Sequence, residues 1–401
     1  MMKILFCLVL PSSLSTGYAQ KIVEGLWRGQ VEYSNVSVPF SFAISYENKE
    51  NPVLTILNGE ERRELRNVKF ADDSLTVLLE PFDVSIKAKY TNTTLSGFYI
   101  KHHKGVSYPF SAEYSQPRFS SSHPPLGKAF DGKCKMLFGP DTGNETAALG
   151  LFEQRGNAIT GTIMSTVSDY RFFQGIQDGD SVKMSSFDGA HAFLLLAKQT
   201  DTGWQGRLVF DDNYAEDWVA SYDPSFELAD PFEEIKGKDA GKKPYFDLLA
   251  AGEGRNVLRQ SDFKGKVTIV QLFGTWCPNS DDQTTYLVDW YQKNQHRDIA
   301  LIASSFEANY SKEYGLKRIK EYVDVNNIPY RVVLGGMLSK TSAAMPFPFM
   351  NKIQAFPTLV ILDKEGMPRY VVNYFNGPAT GAYYEEFDHT FNQVIDRLLG
   401  E

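Results

Sequence analysis

Two residues of one short segment, Cys277 and Ser280, raise the main chemical question of this 401-residue chain. They lie in "GTWCPNSDDQ", directly after the apolar run "VTIVQLF", and a helical pattern follows them. A cysteine at the start of a helix faces the unpaired amides of the first turn, which stabilise a thiolate. We therefore predict a nucleophilic thiol with a lowered pKa at Cys277. The alternative is a buried, inert cysteine, since free cysteines often act as small hydrophobic residues.

The carboxy-terminal pattern predicts the elements that must position this thiol. The β-branched apolar runs Val267–Phe273 and Ile299–Ser305 are typical of strands buried on both faces of a sheet, and helical spacing lies between them. The later predicted elements are a helix over 311–325, strands at 330–334, 358–363 and 370–375, and a helix over 383–399. The resulting order, βαβαββα with one additional strand, indicates an α/β domain.

This region resembles the TlpA-like thiol-disulfide oxidoreductases of the thioredoxin superfamily. The segment "SDFKGKVTIVQLFGTWCP" is similar to the approach to that family's active site, and "FPTLVILDKEG" is similar to its cis-proline segment. The resemblance implies that Cys277 is the nucleophile and that Pro357 is a cis-proline that packs beside it. It also implies that Trp276, Pro278 and Phe356 contact an extended substrate.

Two positions depart from the family pattern. The resolving cysteine of the family is replaced by Ser280, and a frequent acidic residue of the family is replaced by Gln283. A dithiol enzyme releases its product when the second thiol attacks the mixed disulfide, and a hydroxyl cannot do this. We expect a monothiol site that needs an external thiol. Cys134 lies in "DGKCKMLF", where alternation predicts a core position instead of a second active-site thiol.

The preceding half of the chain shows short alternating runs separated by Asn, Asp and Gly, which predict all-β modules. Segment 72–100 is similar to segment 179–210, so we expect two related, separate modules joined by the connector "SQPRFSSSHPPLG". This half is similar to the long amino-terminal extensions of TlpA-like proteins of Bacteroidetes. The predicted division is a signal peptide at 1–19, β-rich modules at 20–115 and 127–225, a linker at 226–244 and the thioredoxin-like domain at 245–401.

Composition limits the partners and the location. The net charge of −8, without a cluster of Lys and Arg, argues against binding of nucleic acid. The apolar run "ILFCLVL" is too short to span a bilayer and is typical of a signal peptide, so we expect an exported protein of the periplasm or cell envelope of a Gram-negative bacterium. The histidines are not spaced as metal ligands, and we expect no metal and no cofactor.

Three functions are compatible with these residues. The first is a monothiol oxidoreductase that acts on protein or small-molecule thiols and disulfides. The second is a redox-inactive module that holds an extended peptide beside Pro357, while the β-modules bind a protein partner. The third is a one-cysteine peroxidase, in which peroxide oxidises Cys277 to a sulfenic acid. That third pattern requires a threonine three residues before the cysteine, where this chain has Gly274, and Thr275 comes one residue late.

Overall fold

A computed structural model describes residues 22–34, 36–48, 51–210, 214–254, 257–309 and 311–401. The predicted signal peptide at 1–19 lies outside the described residues. Within the described ranges, no helix is both long and apolar enough to cross a membrane.

An antiparallel sheet of nine strands forms the first part of the fold. The strands are β1 (Gly25–Tyr33), β2 (Val36–Glu47), β3 (Asn51–Asn58), β4 (Glu61–Leu65), β5 (Val68–Ala71), β6 (Ser74–Leu78), β7 (Val84–Tyr90), β8 (Thr94–Lys101) and β9 (Val106–Tyr114). Their order across the sheet is β4-β3-β2-β1-β9-β8-β7-β6-β5. Alternate side chains of β1, including Trp27, Val31 and Tyr33, are buried in the core, as the period of a strand requires. The predicted strand-rich character of this region is confirmed.

A closed barrel of eight antiparallel strands follows. The strands are β10 (Gly132–Phe138), β11 (Thr146–Arg155), β12 (Ala158–Ser165), β13 (Phe173–Asp178), β14 (Ser181–Phe187), β15 (Ala192–Gln199), β16 (Trp204–Val209) and β17 (Ala215–Tyr222). Aromatic rings fill much of the interior, among them Phe130, Trp204 and Trp218. Cys134 lies in this interior and is 4% exposed, which confirms the predicted core position.

The nine-stranded sheet and the barrel share one hydrophobic cluster. Phe187 and Ala192 of the barrel belong to the same cluster as Phe40 and Tyr99 of the first sheet, and the rings of Phe40 and Phe187 stack at 4.0 Å. The two sheets are hydrogen-bonded separately, and this cluster packs them against each other. Part of β14 and β15 is buried on both faces, so the outer face of the barrel packs against the first sheet. The module boundaries themselves remain a prediction.

A six-stranded sheet with flanking helices forms the carboxy-terminal part. The strands are β18 (Phe232–Glu234), β19 (Val267–Phe273), β20 (Ile299–Glu307), β21 (Arg331–Met337), β22 (Thr358–Leu362) and β23 (Pro368–Val372), and the helices are α1 (Pro278–Asn294), α2 (Lys312–Asn326), α3 (Lys340–Ala344) and α4 (Ala382–Gly400). The sheet order is β18-β23-β22-β19-β20-β21. This is the predicted thioredoxin-like arrangement, with β18 and α3 added. Strand β18 lies inside the segment predicted as a linker.

Central strand β19 determines where the candidate site lies. It pairs in parallel with β20 and antiparallel with β22, and all seven of its residues are buried. A strand covered on both faces consists of a continuous apolar or β-branched run, as this one mostly does. Neighbouring strands therefore fix the carboxyl end of β19 on both sides, and the turn that follows lies where this central strand ends.

Replacing Phe187 by alanine tests whether the first sheet and the barrel form one structural unit. We expect Phe187→Ala to lower the free energy of unfolding by about 3–5 kcal/mol, because it removes a fully buried ring from the shared cluster. The measurement is urea unfolding followed by circular dichroism. Phe98→Ala is the matched control, since Phe98 is 51% exposed and should change stability little. Equal midpoints for the two variants would contradict the shared core.

Candidate functional site

Cys277 lies at the junction between β19 and α1. It is the N-cap residue of the helix, and Pro278 occupies the first helical turn, where its fixed backbone angle suits helix initiation. The turn is closed by two backbone hydrogen bonds: the Cys277 amide donates to the carbonyl of Gly274 (3.1 Å), and the Asp281 amide donates to the carbonyl of Cys277 (3.1 Å). The predicted placement of the sulfur at a helix amino terminus is confirmed.

The segment around Pro357 faces this sulfur. The Phe356–Pro357 peptide bond is cis, the isomer that the family resemblance implies. The Sγ of Cys277 donates to the carbonyl oxygen of Phe356 at 3.6 Å. Trp276 packs edge-on against the Phe356 ring at 6.1 Å, and its indole donates to the carbonyl of Phe306 at 2.9 Å. The structure therefore brings together Cys277, Trp276, Phe356 and Pro357.

Ser280 is fully buried one helical turn after the cysteine. Its hydroxyl accepts from the amide of Gly274 at 3.5 Å and forms a hydrogen bond to the sulfur of Cys277 that stabilises the thiolate. Among the described residues, Cys134 and Cys277 are both free thiols. Cys134 lies inside the barrel, in strand β10. A disulfide between Cys134 and Cys277 would require their alpha carbons to lie within about 7 Å of each other.

Burial changes the expected acidity of the nucleophile. Burial raises the pKa of the Cys277 thiol above its ordinary value, and this outweighs the hydrogen bonds from Ser280 and Asn279 that favour the thiolate. The negative charge of Asp188 raises the pKa of Cys277 further. The prediction of a lowered pKa is therefore wrong for this state of the protein. The helix amides are in place, but Cys277 is only 8% exposed and the cost of desolvating a thiolate is larger.

Glu307 fixes the turn that carries the cysteine. Its carboxylate accepts from the amide and the hydroxyl of Thr275, at 3.2 and 2.8 Å, and from the hydroxyl of Ser305. Burial raises the pKa of Glu307. Gln283, at the position of the family's acidic residue, instead accepts from Gln271 at 3.1 Å in the interface between α1 and β19. It contributes packing and polarity there but no titratable proton.

Residues of the β-rich region contact the first turn of α1, and these contacts were not among the sequence-based predictions. Arg171 forms ion pairs with Glu61 and Asp282 and donates to the carbonyl of Pro278 at 3.4 Å. The side chain of Asn279 donates to the backbone carbonyl of Asp169 at 2.9 Å. These partners lie more than 100 residues apart in the chain, so local patterns could not reveal them.

Metal chemistry has no visible site here. Within the described ranges, no group of three or more His, Cys, Asp or Glu side chains is arranged to hold a metal ion. The available chemistry is that of one thiol with a hydroxyl, backbone amides and a cis-proline beside it.

Comparison with known proteins identifies the region that carries this site. Residues 240–371 match the model of the AhpC/TSA family. The ResA thiol-disulfide oxidoreductases of Bacillus thuringiensis subsp. konkukian and Bacillus cereus are each 27% identical over 157 residues, which is 38% of this chain and 75% of theirs. The carboxy-terminal region is a TlpA-like domain of the thioredoxin superfamily.

Solved structures with similarity to this chain include a thioredoxin-family thiol:disulfide interchange protein from Chlorobium tepidum and a putative protein disulfide isomerase from Bacteroides thetaiotaomicron. The first is 20% identical, covers 39% of this chain and 95% of its own, and has a TM-score of 0.29. The second is 17% identical, covers 34% of this chain and 80% of its own, and has a TM-score of 0.25.

The pH dependence of alkylation tests the electrostatics of the TlpA-like domain. In a Cys7→Ala/Cys134→Ala variant, Cys277 is the sole thiol, and only its thiolate reacts with iodoacetamide. Because burial raises the pKa, the thiolate forms at higher pH in the folded protein. The rate should therefore still rise above pH 9.0, the ordinary value for the group.

The control is the same variant unfolded in urea. Its alkylation rate should level off once the pH passes the ordinary pKa of a thiol. The raised pKa would be contradicted if the rate of the folded protein levelled off at a pH well below the pH at which the rate of the unfolded chain levels off.

Proposed function

We propose that this protein is an exported thiol-disulfide oxidoreductase with a monothiol site. The observation that carries the proposal is the position of Cys277 at the amino terminus of α1, beside Phe356 and Pro357, with Ser280 in the place of a resolving cysteine. Cys277 acts as the nucleophile and Pro357 shapes the groove beside it. Ser280 stabilises the thiolate by a hydrogen bond and forms no disulfide.

The reaction has two steps. The Cys277 thiolate attacks one sulfur of a substrate disulfide, so that a new S–S bond forms to Cys277, the original S–S bond breaks and the other sulfur leaves as a thiolate that takes up a proton. An external thiolate then attacks the substrate sulfur of the mixed disulfide, so that an S–S bond forms between the external thiol and the substrate, the bond to Cys277 breaks and Cys277 leaves as a thiolate. The external thiol supplies the electrons, since Ser280 cannot. The substrate class is protein or small-molecule disulfides.

Sequence and relatives support the substrate class and the location separately. The ResA relatives are named thiol-disulfide oxidoreductases, which supports thiol and disulfide substrates. The amino-terminal pattern of a signal peptide supports export, and we place the mature protein in the periplasm or cell envelope of a Gram-negative bacterium. Trp276, Pro278 and Phe356 are the proposed contacts for an extended substrate. The proposed division is β-rich modules at 20–115 and 127–225, a linker at 226–244 and the catalytic domain from 245 to 401.

A redox-inactive binding module is the second candidate. The burial of Cys277 and its raised pKa favour it, since a protonated, shielded thiol is a poor nucleophile. The one-cysteine peroxidase receives less support. Its pattern lacks the required threonine, and the hydroxyl of Thr275 already donates to Glu307.

Restoring the second sulfur separates the two leading candidates. We expect Ser280→Cys to form a disulfide with Cys277 on mild oxidation, because both positions share the first turn of α1. We also expect it to raise the rate of insulin reduction with dithiothreitol as the recycling thiol, at least severalfold over the wild type. The wild type should accumulate a mixed disulfide with oxidised glutathione, visible by mass spectrometry of the intact chain.

Cys277→Ala is the matched control and should give neither the adduct nor the gain when combined with Ser280→Cys. If Ser280→Cys forms the internal disulfide but gains no reductase activity, the oxidoreductase proposal fails and the binding module is favoured. Turnover by the wild type without any other thiol would also contradict the monothiol site.

A further inference from the structure

The first turn of α1 is covered by charged side chains of the β-rich region. Arg171 lies in the loop between β12 and β13, and its side chain is only 4% exposed. It is held between Glu61 of the first sheet and Asp282 of α1, whose side chains are 11% and 14% exposed. One guanidinium thus joins the first sheet, the barrel and the helix that starts at the reactive cysteine.

Backbone contacts of the same loop reinforce this cover. The Asp169 carboxylate accepts from the amide of Gly377 at 2.9 Å, and its own backbone carbonyl accepts from the side chain of Asn279. Arg171 also donates to the carbonyl of Pro278, the residue after the cysteine. The loop therefore bonds to the two residues that directly follow Cys277 and to the segment after β23.

Further polar contacts extend the interface to α2. Arg63 of the first sheet pairs with Asp281 at 3.0 Å, and these side chains are 17% and 6% exposed. Tyr314 of α2 donates to Asp83 at 2.7 Å, and Arg318 donates to the carbonyl of Pro81. The interface is thus rich in charges and hydrogen bonds, unlike the apolar cluster that joins the first sheet to the barrel. Such contacts can break without exposing a hydrophobic core.

The backbone of Arg171 is held in an unusual conformation. Its φ angle is +56°, in the left-handed region that side-chain-bearing residues rarely adopt. Its amide donates to the side chain of Asp169 at 2.8 Å, which closes a tight turn. Strained residues of this kind persist only where surrounding contacts fix them, and they are concentrated at functional contacts. Here the fixing contacts are the ion pairs with Glu61 and Asp282.

We propose that the β-rich region is a removable cover of the Cys277 thiol, fastened by Arg171. In the covered state the sulfur is shielded, and a disulfide reaches it only when the loop 166–172 separates from α1. The segment that lies beside the thiol thus belongs to the same chain, and a substrate must displace this segment. This inference rests on the proposed function for its purpose, but the cover itself is testable without any redox reaction.

Alkylation at fixed pH measures the cover directly. The background is Cys7→Ala/Cys134→Ala, and the probe is a small maleimide in excess. The test variant is Arg171→Gly, which removes the guanidinium while glycine accepts the left-handed backbone. The substitution leaves the carboxylates of Glu61 and Asp282 close together without the cation that they share. Their repulsion favours separation of the β-rich region from α1. We expect labelling to accelerate about tenfold or more, a change that corresponds to about 1.4 kcal/mol in the opening equilibrium.

Two controls keep the result decisive. Arg207→Ala removes an exposed ion pair of the barrel, with Asp217, and should leave the labelling rate unchanged. Circular dichroism and the urea midpoint establish that Arg171→Gly is folded. If it is not, Asp282→Asn weakens the same contact from the other side and replaces it in the comparison.

The following results distinguish a failure of the cover from a failure of the proposed function. A wild-type thiol that reacts as fast as the urea-unfolded chain, or a folded Arg171→Gly that reacts no faster than the wild type, overturns the cover. Faster alkylation of Arg171→Gly without a mixed disulfide on addition of oxidised glutathione supports the cover and contradicts the oxidoreductase. Faster alkylation together with faster mixed-disulfide formation supports both.

Discussion

The chemistry of this chain depends on a balance at one sulfur between desolvation and the amides of a helix amino terminus. The amides of the first turn of α1 and the hydroxyl of Ser280 favour the Cys277 thiolate, and charge at a helix end contributes typically about 0.3–1 kcal/mol. Burial acts in the opposite direction and dominates in the covered state. The helix amides and Ser280 belong to the same carboxy-terminal domain as the sulfur, whereas the charge of Asp188 comes from the β-rich region. In the proposed opening, separation of the β-rich region would take away the charge of Asp188, which raises the pKa of the thiol.

The shared core explains how the β-rich region can act as one body. Because Phe40 and Phe187 stack across the interface, separating the first sheet from the barrel would expose buried aromatic rings to water. Arg118 strengthens the same junction, since its buried guanidinium donates to the carbonyl of Ser185 and to the side chain of Asn58. Glu61 and Arg171 come from the two halves of this body, so their pairing depends on the apolar packing behind them. The β-rich region and the carboxy-terminal domain each have apolar clusters of their own, whereas the contacts of Arg171 and Arg63 that join them are polar.

Local patterns were sufficient to predict the catalytic domain. The strand at Val267–Phe273, the helix after it and the place of Pro357 follow from periodicity and from a family resemblance. Long-range contacts were not predictable: Arg171 reads as a charged residue in a polar loop, and nothing nearby in sequence indicates Glu61 or Asp282. The raised pKa of Cys277 was not predictable from the sequence either, since burial decides the direction of the shift and no local pattern gives the burial of a side chain in the folded protein. Short additions such as β18 were missed because three residues carry no periodic signal.

The proposed monothiol site and the proposed cover have one physical reason in common. A dithiol site tolerates chance encounters with disulfides, because its second thiol releases any wrong adduct within the same site. With Ser280 in that place, every productive attack by Cys277 leaves a mixed disulfide that lasts until another thiol arrives. An open thiolate would thus be consumed by whichever disulfide is most abundant. In this proposal, shielding the sulfur until the contacts of Arg171 break would restrict attack to partners that can displace the β-rich region, so that the interface and not the chemistry of the thiol would set specificity.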